Sequence, residues 1–533
     1  GLKGLTHFNV LKGMPQAAQI LADAVVQNKR IIIVGDFDAD GATSTSVCIL
    51  ALRAMGYQNV DFLVPNRFDF GYGLSVPIVD EAAKQRAEVI VTVDNGISCI
   101  DGVTHAKSLG MQVVVTDHHL PGDVLPPADA IVNPNQPGCE FPSKNLAGVG
   151  VAFYIMLALK AELQQQGHFE RAGLAPPNLA SLLDIVAVGT VADVVVLDKN
   201  NRILVHQGLQ RIRAGKCRPG IKALVEVANR DCAHLTSTDL GFVVGPRLNA
   251  AGRLDDMSQG IACLLEDETI QARMIAAELD ALNKERREIE TGMKAQAETV
   301  LEQMALDEGD MPSALVVYRE DFHQGVIGIV AGRLKEKYLK PVIAFAHQDD
   351  EIIKGSARSI PGVHIRDVLD EVNTRYPGVI EKFGGHAMAA GLSLPVAKLQ
   401  EFEQAFVDIA RAHMAKLDGN HALLSDGDLS SKELCLPFAH LLRQAGPFGQ
   451  GFESPLFDGE FALLDQRLVG QKHLKMVLKS DGANEVDAIA FNVDLKSWPN
   501  AMVKRVHIAY RLDINVFRGQ ETVQLIVEQI EAR

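Results

Sequence analysis

The apolar and polar positions divide the chain into three regions. From residue 31 to about 135, short apolar runs alternate with stretches in which apolar residues recur every three or four positions. The runs near 31–35, 59–64, 89–93, 112–116 and 129–132 read as strands, with helices at 42–55 and 77–86 among them. Strands and helices in alternation build a mainly parallel sheet. The first run, Ile31-Ile32-Ile33-Val34, has no polar position, the mark of a strand covered on both faces. Residues 146–160 and 179–197 are apolar nearly all round and read as buried helices, the second enclosing Asp184 and Asp193. Residues 267–306 contain no proline and read as one long solvated helix between two domains. A second α/β unit follows, with strands near 314–317 and 342–345 around a helix at 326–337. After a Gly-, Pro- and Phe-rich linker at 446–455, residues 456–533 alternate short strands and turns, as small β-barrels do. The expected fold is therefore two α/β domains, the first with a mainly parallel sheet and the second smaller, joined by a long helix and followed by a β-barrel. The corresponding spans are 1–265, 266–308 for the helix, 309–416, a linker region at 417–455, and 456–533.

In open parallel sheets the site lies past the carboxyl ends of the strands, and here those ends are marked. The first strand is followed by Asp36, Asp38 and Asp40, which an extended segment would aim to one side. The second is followed by Pro65-Asn66-Arg67, the third by Asp94-Asn95-Gly96 and the fourth by Asp117-His118-His119. Three crowded anions repel unless a cation lies between them. Alone, the acidic triplet suits a solvated loop as well as a metal site. A solvated edge does not account for Asp and His at three of the four strand ends. Asp193 reads as a further member of this cluster, and Asp184 as a hydrogen-bonded core residue, because an unpartnered carboxylate in an apolar helix is costly. Asp36, Asp38, Asp40, Asp94, His118 and Asp193 form too hard a donor set for structural zinc and too large a one for a single magnesium ion. They suit two divalent cations, Mn²⁺ or Mg²⁺, sharing a carboxylate, an arrangement that serves phosphoryl displacement. His119 is placed to donate to a phosphate, and Asp117 to orient a histidine.

Composition narrows the partners. With 47% hydrophobic and 22% charged residues the chain is an ordinary globular protein. Its net charge of −15 excludes a general attraction to nucleic acid, so any such partner must be held by local basic patches. One is GPRLNAAGR at 245–253, read as a Gly-rich turn whose Arg247 and Arg253 suit a phosphate. In the barrel, Lys472, His473, Lys475, Arg511 and Arg518 interleave with Phe491, Tyr510 and Phe517, the composition of a single-strand binder. The seven cysteines are scattered without a CxxC pair, which fits reduced thiols and argues against a zinc cluster. No apolar run is long enough for a membrane span and the first residues lack a charged-then-apolar pattern, so no membrane role and a cytoplasmic location are expected.

DFDADG, VDNG, TDHH and GTVADVV, in that order, resemble the DHH phosphoesterase superfamily, and GGHAMAAG resembles its companion DHHA1 domain. With GPRLNAAGR, the long helix and an OB-like barrel, the resemblance narrows to the RecJ family of single-strand-specific exonucleases. It implies metal ligands at Asp38, Asp40, Asp94, His118 and Asp193, and a catalytic contribution from Asp36, Asp117 and His119. It places Arg67, Arg247, Asn249, Arg253, Ser356, Arg358, Ser359, Gly385 and His386 near phosphates. It also implies degradation of single-stranded DNA from the 5′ end to 5′-mononucleotides, in repair and recombination, beside a single-strand-binding protein and a RecQ-type helicase. Two other readings stay open. A phosphodiesterase for short oligonucleotides or cyclic dinucleotides would share the first two domains but has no need of the barrel. An inert single-strand-binding scaffold would have no need of the intact acidic set.

Overall fold

The computed structural model describes all residues except 66–71, 309–310, 386, 418–422, 481 and 483–484. Two units are distinguished. The first comprises Gly1–Asn249, Met257–Ala277 and Ala422–Arg533, and the second Ala250–Asp256 and Glu278–His421.

The first unit holds a five-stranded parallel sheet: β1 (Ile31–Val34), β2 (Val60–Leu63), β3 (Val89–Thr92), β4 (Gln112–Thr116) and β5 (Ala130–Val132). The strands lie in the order β2-β1-β3-β4-β5. Every residue of β1 and β3 is buried, which explains their uninterrupted Val and Ile runs. The order reverses between β1 and β3, and at such a switch point the connections leave a crevice at the carboxyl edge. The helix Ala39–Ala54, which leaves β1, is almost wholly buried against Gly148–Gln165 and Leu183–Ala192. Its Ala, Thr and Ser residues permit close contact: a Cβ on Gly189 would lie 2.1 Å from Thr43 Oγ1. The buried hydroxyls of Thr43, Thr45 and Ser46 donate to carbonyls four residues back at 2.8 Å, so none is left unsatisfied.

Two expectations are corrected here. Residues 179–197 are not one helix. A 3₁₀ turn, Leu179–Leu182, leads into Leu183–Ala192, which stops where Val194 takes a left-handed backbone (φ 60°). GPRLNAAGR is not a turn but the helix Gly245–Leu254, entered through a π-helical stretch, Leu240–Val244. Burial of Leu248, Ala250 and Ala251 outweighs the poor helix propensity of its glycines.

The same unit ends in a closed barrel of β11 (Phe457–Val469), β12 (His473–Lys479), β13 (Glu485–Ala490), β14 (Arg505–Phe517) and β15 (Gln520–Ala532). Alternate side chains of β14, Val506, Ile508 and Tyr510, fill its core. Tyr510 is therefore packed on Phe457 and Phe461 and offers no ring to a ligand, contrary to the sequence reading. Within the span expected as linker, Leu436–Ala445 is a helix whose Leu436, Phe438, Ala439 and Leu442 pack on that core.

The second unit has a mixed sheet of β6 (Leu315–Tyr318), β7 (Val342–His347), β8 (Ile352–Arg358), β9 (Lys382–Gly385) and β10 (Ala389–Pro395), ordered β6-β7-β8-β10-β9. Only β6 and β7 are parallel. One face packs on the helix Ile327–Tyr338, the other on Ile365–Arg375 and Leu399–Met414. The long helix expected from the sequence runs from Thr269 to Glu308, and its Met293, Ala297 and Leu301 join the first of these cores.

Candidate metal centre

The carboxylates past β1 converge by a different route from the one expected. The strand stops at Val34, and Asp38 is already the N-cap of the next helix, its carboxylate accepting from Gly41 N–H at 2.9 Å. Asp40 thus projects from the first helical turn, not from an extended segment. Two glycines make this tight reversal possible: a Cβ on Gly35 would lie 2.3 Å from Thr45 Oγ1, and one on Gly41 2.3 Å from the Asp36 carbonyl. Asp40 is fixed at both oxygens by the first N–H groups of another helix, Gly148 at 2.7 Å and Val149 at 2.8 Å. Those donors have no partner inside their own helix, and the positive end of its dipole favours the anion.

Past β3, Asp94 takes a left-handed backbone (φ 59°). Asn95 ties the two strand ends by donating to the carbonyls of Val34 and Val93 at 3.0 and 2.9 Å. Past β4, His118 Nε2 lies 3.0 Å from Asp94, 3.5 Å from Asp193 and 3.6 Å from Asp40. Asp193 caps the carboxyl end of the helix Leu183–Ala192, and the left-handed Val194 after it stores about 1–3 kcal/mol of strain for a β-branched residue. Three overlapping donor sets result: Asp36 with Asp38 and Asp94; Asp40 with His118 and Asp193; and Asp94 with Asp117, His118 and His119; within each set one ligand atom per residue lies within 4.8 Å of the others. Asp94 belongs to the first and touches His118 of the second, so it stands where a bridging carboxylate would.

His119 is held by Asp117, Nδ1 to Oδ1 at 2.6 Å, and Asp117 is anchored by the Ile97 N–H at 3.0 Å. Burial alone would lower the His119 imidazole, but its hydrogen bond to Asp117 and the charges of Asp117, Asp36 and Asp38 raise it to about 9. Burial likewise works against the Asp117 carboxylate, yet the bond from His119 brings it below its ordinary range. His118 goes the other way, pushed to about 4 by burial and then by the charge of His119, so it presents the neutral imidazole a metal requires. Burial followed by the charge of Asp38 lifts Asp40 to about 7. Burial and then the charge of Asp40 lift Asp94 and Asp193 well above the carboxylate range.

The remaining sequence candidates are distributed. Asn249 lies at the centre, but its Oδ1 accepts from Ala39 N–H at 2.8 Å, so it braces the start of the Asp40 helix. Arg247 is buried and donates to the Val243 carbonyl at 2.8 Å. Arg253 and the next three residues belong to the second unit, where Arg253 donates to the Gly325 carbonyl at 2.8 Å. Arg358 on β8 donates to Ser356 Oγ at 2.9 Å and lies along Gly328, whose Cβ would come within 2.8 Å of its guanidinium. Ser359 is buried, its hydroxyl spent on the Val363 carbonyl at 2.6 Å. Gly385 (φ 150°) lets β9 approach β10, since a Cβ would lie 2.4 Å from Ala390 Cα. Arg67 and His386 lie outside the described residues. Tyr72 was missed: its hydroxyl lies 3.5 Å from both His119 Nδ1 and the Asp94 carbonyl. Asp184 is the hydrogen-bonded core residue expected, accepting from Arg218 and Ile185 N–H at 2.7 and 2.8 Å.

The donor chemistry fits divalent cations. No lysine or arginine forms an ion pair with Asp38, Asp40, Asp94 or Asp193 among the described residues. Carboxylates raised first by burial and then by mutual repulsion are stabilised by a cation placed among them. Oxygen donors with one imidazole suit Mn²⁺ or Mg²⁺.

Three family models match separate parts of the chain. Residues 30–190 match the DHH family, N-terminal domain; residues 312–412 match the DHHA1 domain; residues 425–529 match the RecJ OB domain. The single-stranded-DNA-specific exonuclease RecJ of Dickeya dadantii is 56% identical over 99% of this chain and 92% of its own length. A crystal structure of RecJ in complex with Mn²⁺ from Thermus thermophilus has a TM-score of 0.80 at 30% identity, covering 98% of this chain and 72% of that one. A second crystal structure from that organism, with Mg²⁺, gives a TM-score of 0.74 at 28% identity, covering 98% and 70%.

Proposed function

The chain belongs to the RecJ family of single-stranded-DNA-specific exonucleases, and on that premise we propose that its acidic centre hydrolyses single-stranded DNA from the 5′ end to 5′-mononucleotides. Asp38, Asp40, Asp94, His118 and Asp193 hold two divalent cations, Mn²⁺ or Mg²⁺, with Asp36 completing the first donor set. When bound, such cations supply Lewis acidity, acidifying water and screening charge on a phosphate. The observation that carries this reading is Asp94, which groups with Asp36 and Asp38 and also lies 3.0 Å from His118, a member of the set with Asp40 and Asp193. His119, kept charged and oriented by Asp117, donates a hydrogen bond to a phosphate oxygen. Tyr72, edge-on to His119 with ring centroids 6.2 Å apart, limits how that imidazole can turn.

Arg358 is the residue best suited to hold a terminal phosphate, because Ser356 and Gly328 restrict its guanidinium to one orientation. We further propose that the enzyme works in repair and recombination, in the cytoplasm, beside a single-strand-binding protein and a RecQ-type helicase. No described helix is long and apolar enough to cross a membrane.

The test is product analysis with Mn²⁺ on a long single strand, a duplex and a dinucleotide. The single strand should yield 5′-mononucleotides, resist attack when blocked at the 5′ end but not the 3′ end, and survive intact with EDTA. Equal turnover of the duplex, or 3′-end attack, would reject the assignment; hydrolysis of the dinucleotide alone would favour an oligonucleotide phosphodiesterase.

A further inference from the structure

We propose that residues 446–455, expected from composition to be a plain linker, form a positioning strap that fixes Asp193 in the metal centre. The inference rests on the reading of Asp193 as a metal ligand.

The segment lies on the loop that leaves Asp193. The Leu197 N–H donates to the Gln450 carbonyl at 2.8 Å, and Ser237 Oγ donates to the Phe448 carbonyl at 2.6 Å. Gly449 and Gly451 allow this approach: a Cβ on Gly449 would lie 2.7 Å from Leu197 Cδ1, and one on Gly451 2.7 Å from Val196 Cγ1. Gly451 also has φ +68°, which a side chain would strain. Phe448 and Phe452 stack at 5.7 Å, and the Arg202 guanidinium lies 4.0 Å over the Phe452 ring. Arg202 in turn donates to the Leu197 carbonyl at 2.8 Å. Leu197 is thus held by the strap at its N–H and by Arg202 at its carbonyl, with the aromatic stack closing the ring of contacts.

The loop requires such a clamp. Asp193 ends its helix and Val194 stands in left-handed backbone, a conformation that persists only when the surroundings over-determine it. On the domain's own side, Asn201 Nδ2 donates to the Val196 carbonyl at 2.9 Å. The strap supplies the other side. Its two ends are tied to one barrel strand: Arg443, just before it, pairs with Asp513 at 2.8 Å, and Arg511 donates to the backbone carbonyl and hydroxyl of Ser454. Both Arg511 and Asp513 lie on β14. A continuous run of contacts therefore joins the barrel wall to a metal ligand, and the barrel has a part in the reaction besides holding DNA.

The experiment uses the full chain with Gly451→Val, which wedges the strap off Val196, and Phe452→Ala, which removes the half-exposed ring under Arg202 without touching a core. Mn²⁺ binding is measured by calorimetry, and turnover is measured on an oligonucleotide too short to reach the barrel. Both variants should weaken Mn²⁺ binding about tenfold, as loss of a ligand's support does. They should lower kcat on the short substrate while leaving KM within about twofold, and Phe452→Tyr should restore both values. Unchanged Mn²⁺ affinity in Phe452→Ala and Gly451→Val, alongside a loss in Asp193→Asn, would overturn the strap while sparing the ligand assignment. Unchanged affinity in Asp193→Asn would overturn both.

Discussion

Asp40 carries an electrostatic cost that either a proton or a cation removes. Burial and the neighbouring Asp38 lift it from 3.8 to about 7. Because its pKa rises on folding, the cation-free protein is stabilised by its protonation at low pH and loses that contribution as pH climbs through 7. Cations bind the deprotonated carboxylate, so protons compete with them over the same window. Calorimetric titration with Mn²⁺ at pH 6, 7 and 8 should show affinity rising with pH and protons released on binding; a pH-independent affinity would contradict this. These carboxylates were legible because of where they stand: acids at successive strand ends, and one acid inside an apolar helix, are each expensive without a purpose. Tyr72 was not legible, since a single tyrosine in a loop belongs to no pattern. Tyr510 was misread although the signal was present. Val506, Ile508, Tyr510 and Leu512 alternate, which puts the tyrosine inside the barrel.

At the scale of elements, the centre depends on helix starts more than on strands. β1 brings the chain to the crevice, but Asp38 caps one helix and Asp40 is held by the first N–H groups of another. The sequence showed the five strands of the parallel sheet almost to the residue, because runs such as Val89–Thr92 are buried on both faces, but β8, β9 and β10 of the second unit were not read as strands. It did not show that the acidic motif turns helical at its third member, nor that GPRLNAAGR is a helix, because local glycine suggests a turn and tertiary burial overrides it. Gly148 tests the geometry. A Cβ there would lie 2.6 Å from the Cβ of Asp94. Gly148→Ala should destabilise the protein by about 1–3 kcal/mol in chemical denaturation, as overpacking does, and should abolish Mn²⁺-dependent turnover. Gly150→Ala, two residues on, meets the side chain of Leu146, nearest at its Cδ2 3.1 Å away, and no metal-centre residue, and should retain activity. Equal behaviour of the two variants would show that the contact with Asp94 is unimportant.

Over the whole molecule, a net charge of −15 means that DNA is held by local groups. On the barrel, Phe491 is half exposed, stands against His473 at 5.1 Å between ring centroids, and adjoins the exposed Lys472 through the Val493 N–H to Lys472 carbonyl bond of 3.0 Å. Lys472→Ala with Phe491→Ala should weaken long-strand binding several-fold and reduce the salt slope by about one, as expected when a single phosphate is no longer neutralised. Turnover of short oligonucleotides should not change; an unaltered long-strand affinity would move the DNA path elsewhere on the barrel. The unit that carries the barrel also carries the metal centre, so binding and hydrolysis can be measured separately on one protein. The most direct test of the two-cation centre is the Mn²⁺ stoichiometry of the full chain with and without its shared carboxylate. The wild type is expected to bind two Mn²⁺ ions, and Asp94→Asn to bind at most one with hydrolysis of single-stranded DNA abolished. Two ions bound with normal turnover in Asp94→Asn would contradict the shared-carboxylate centre.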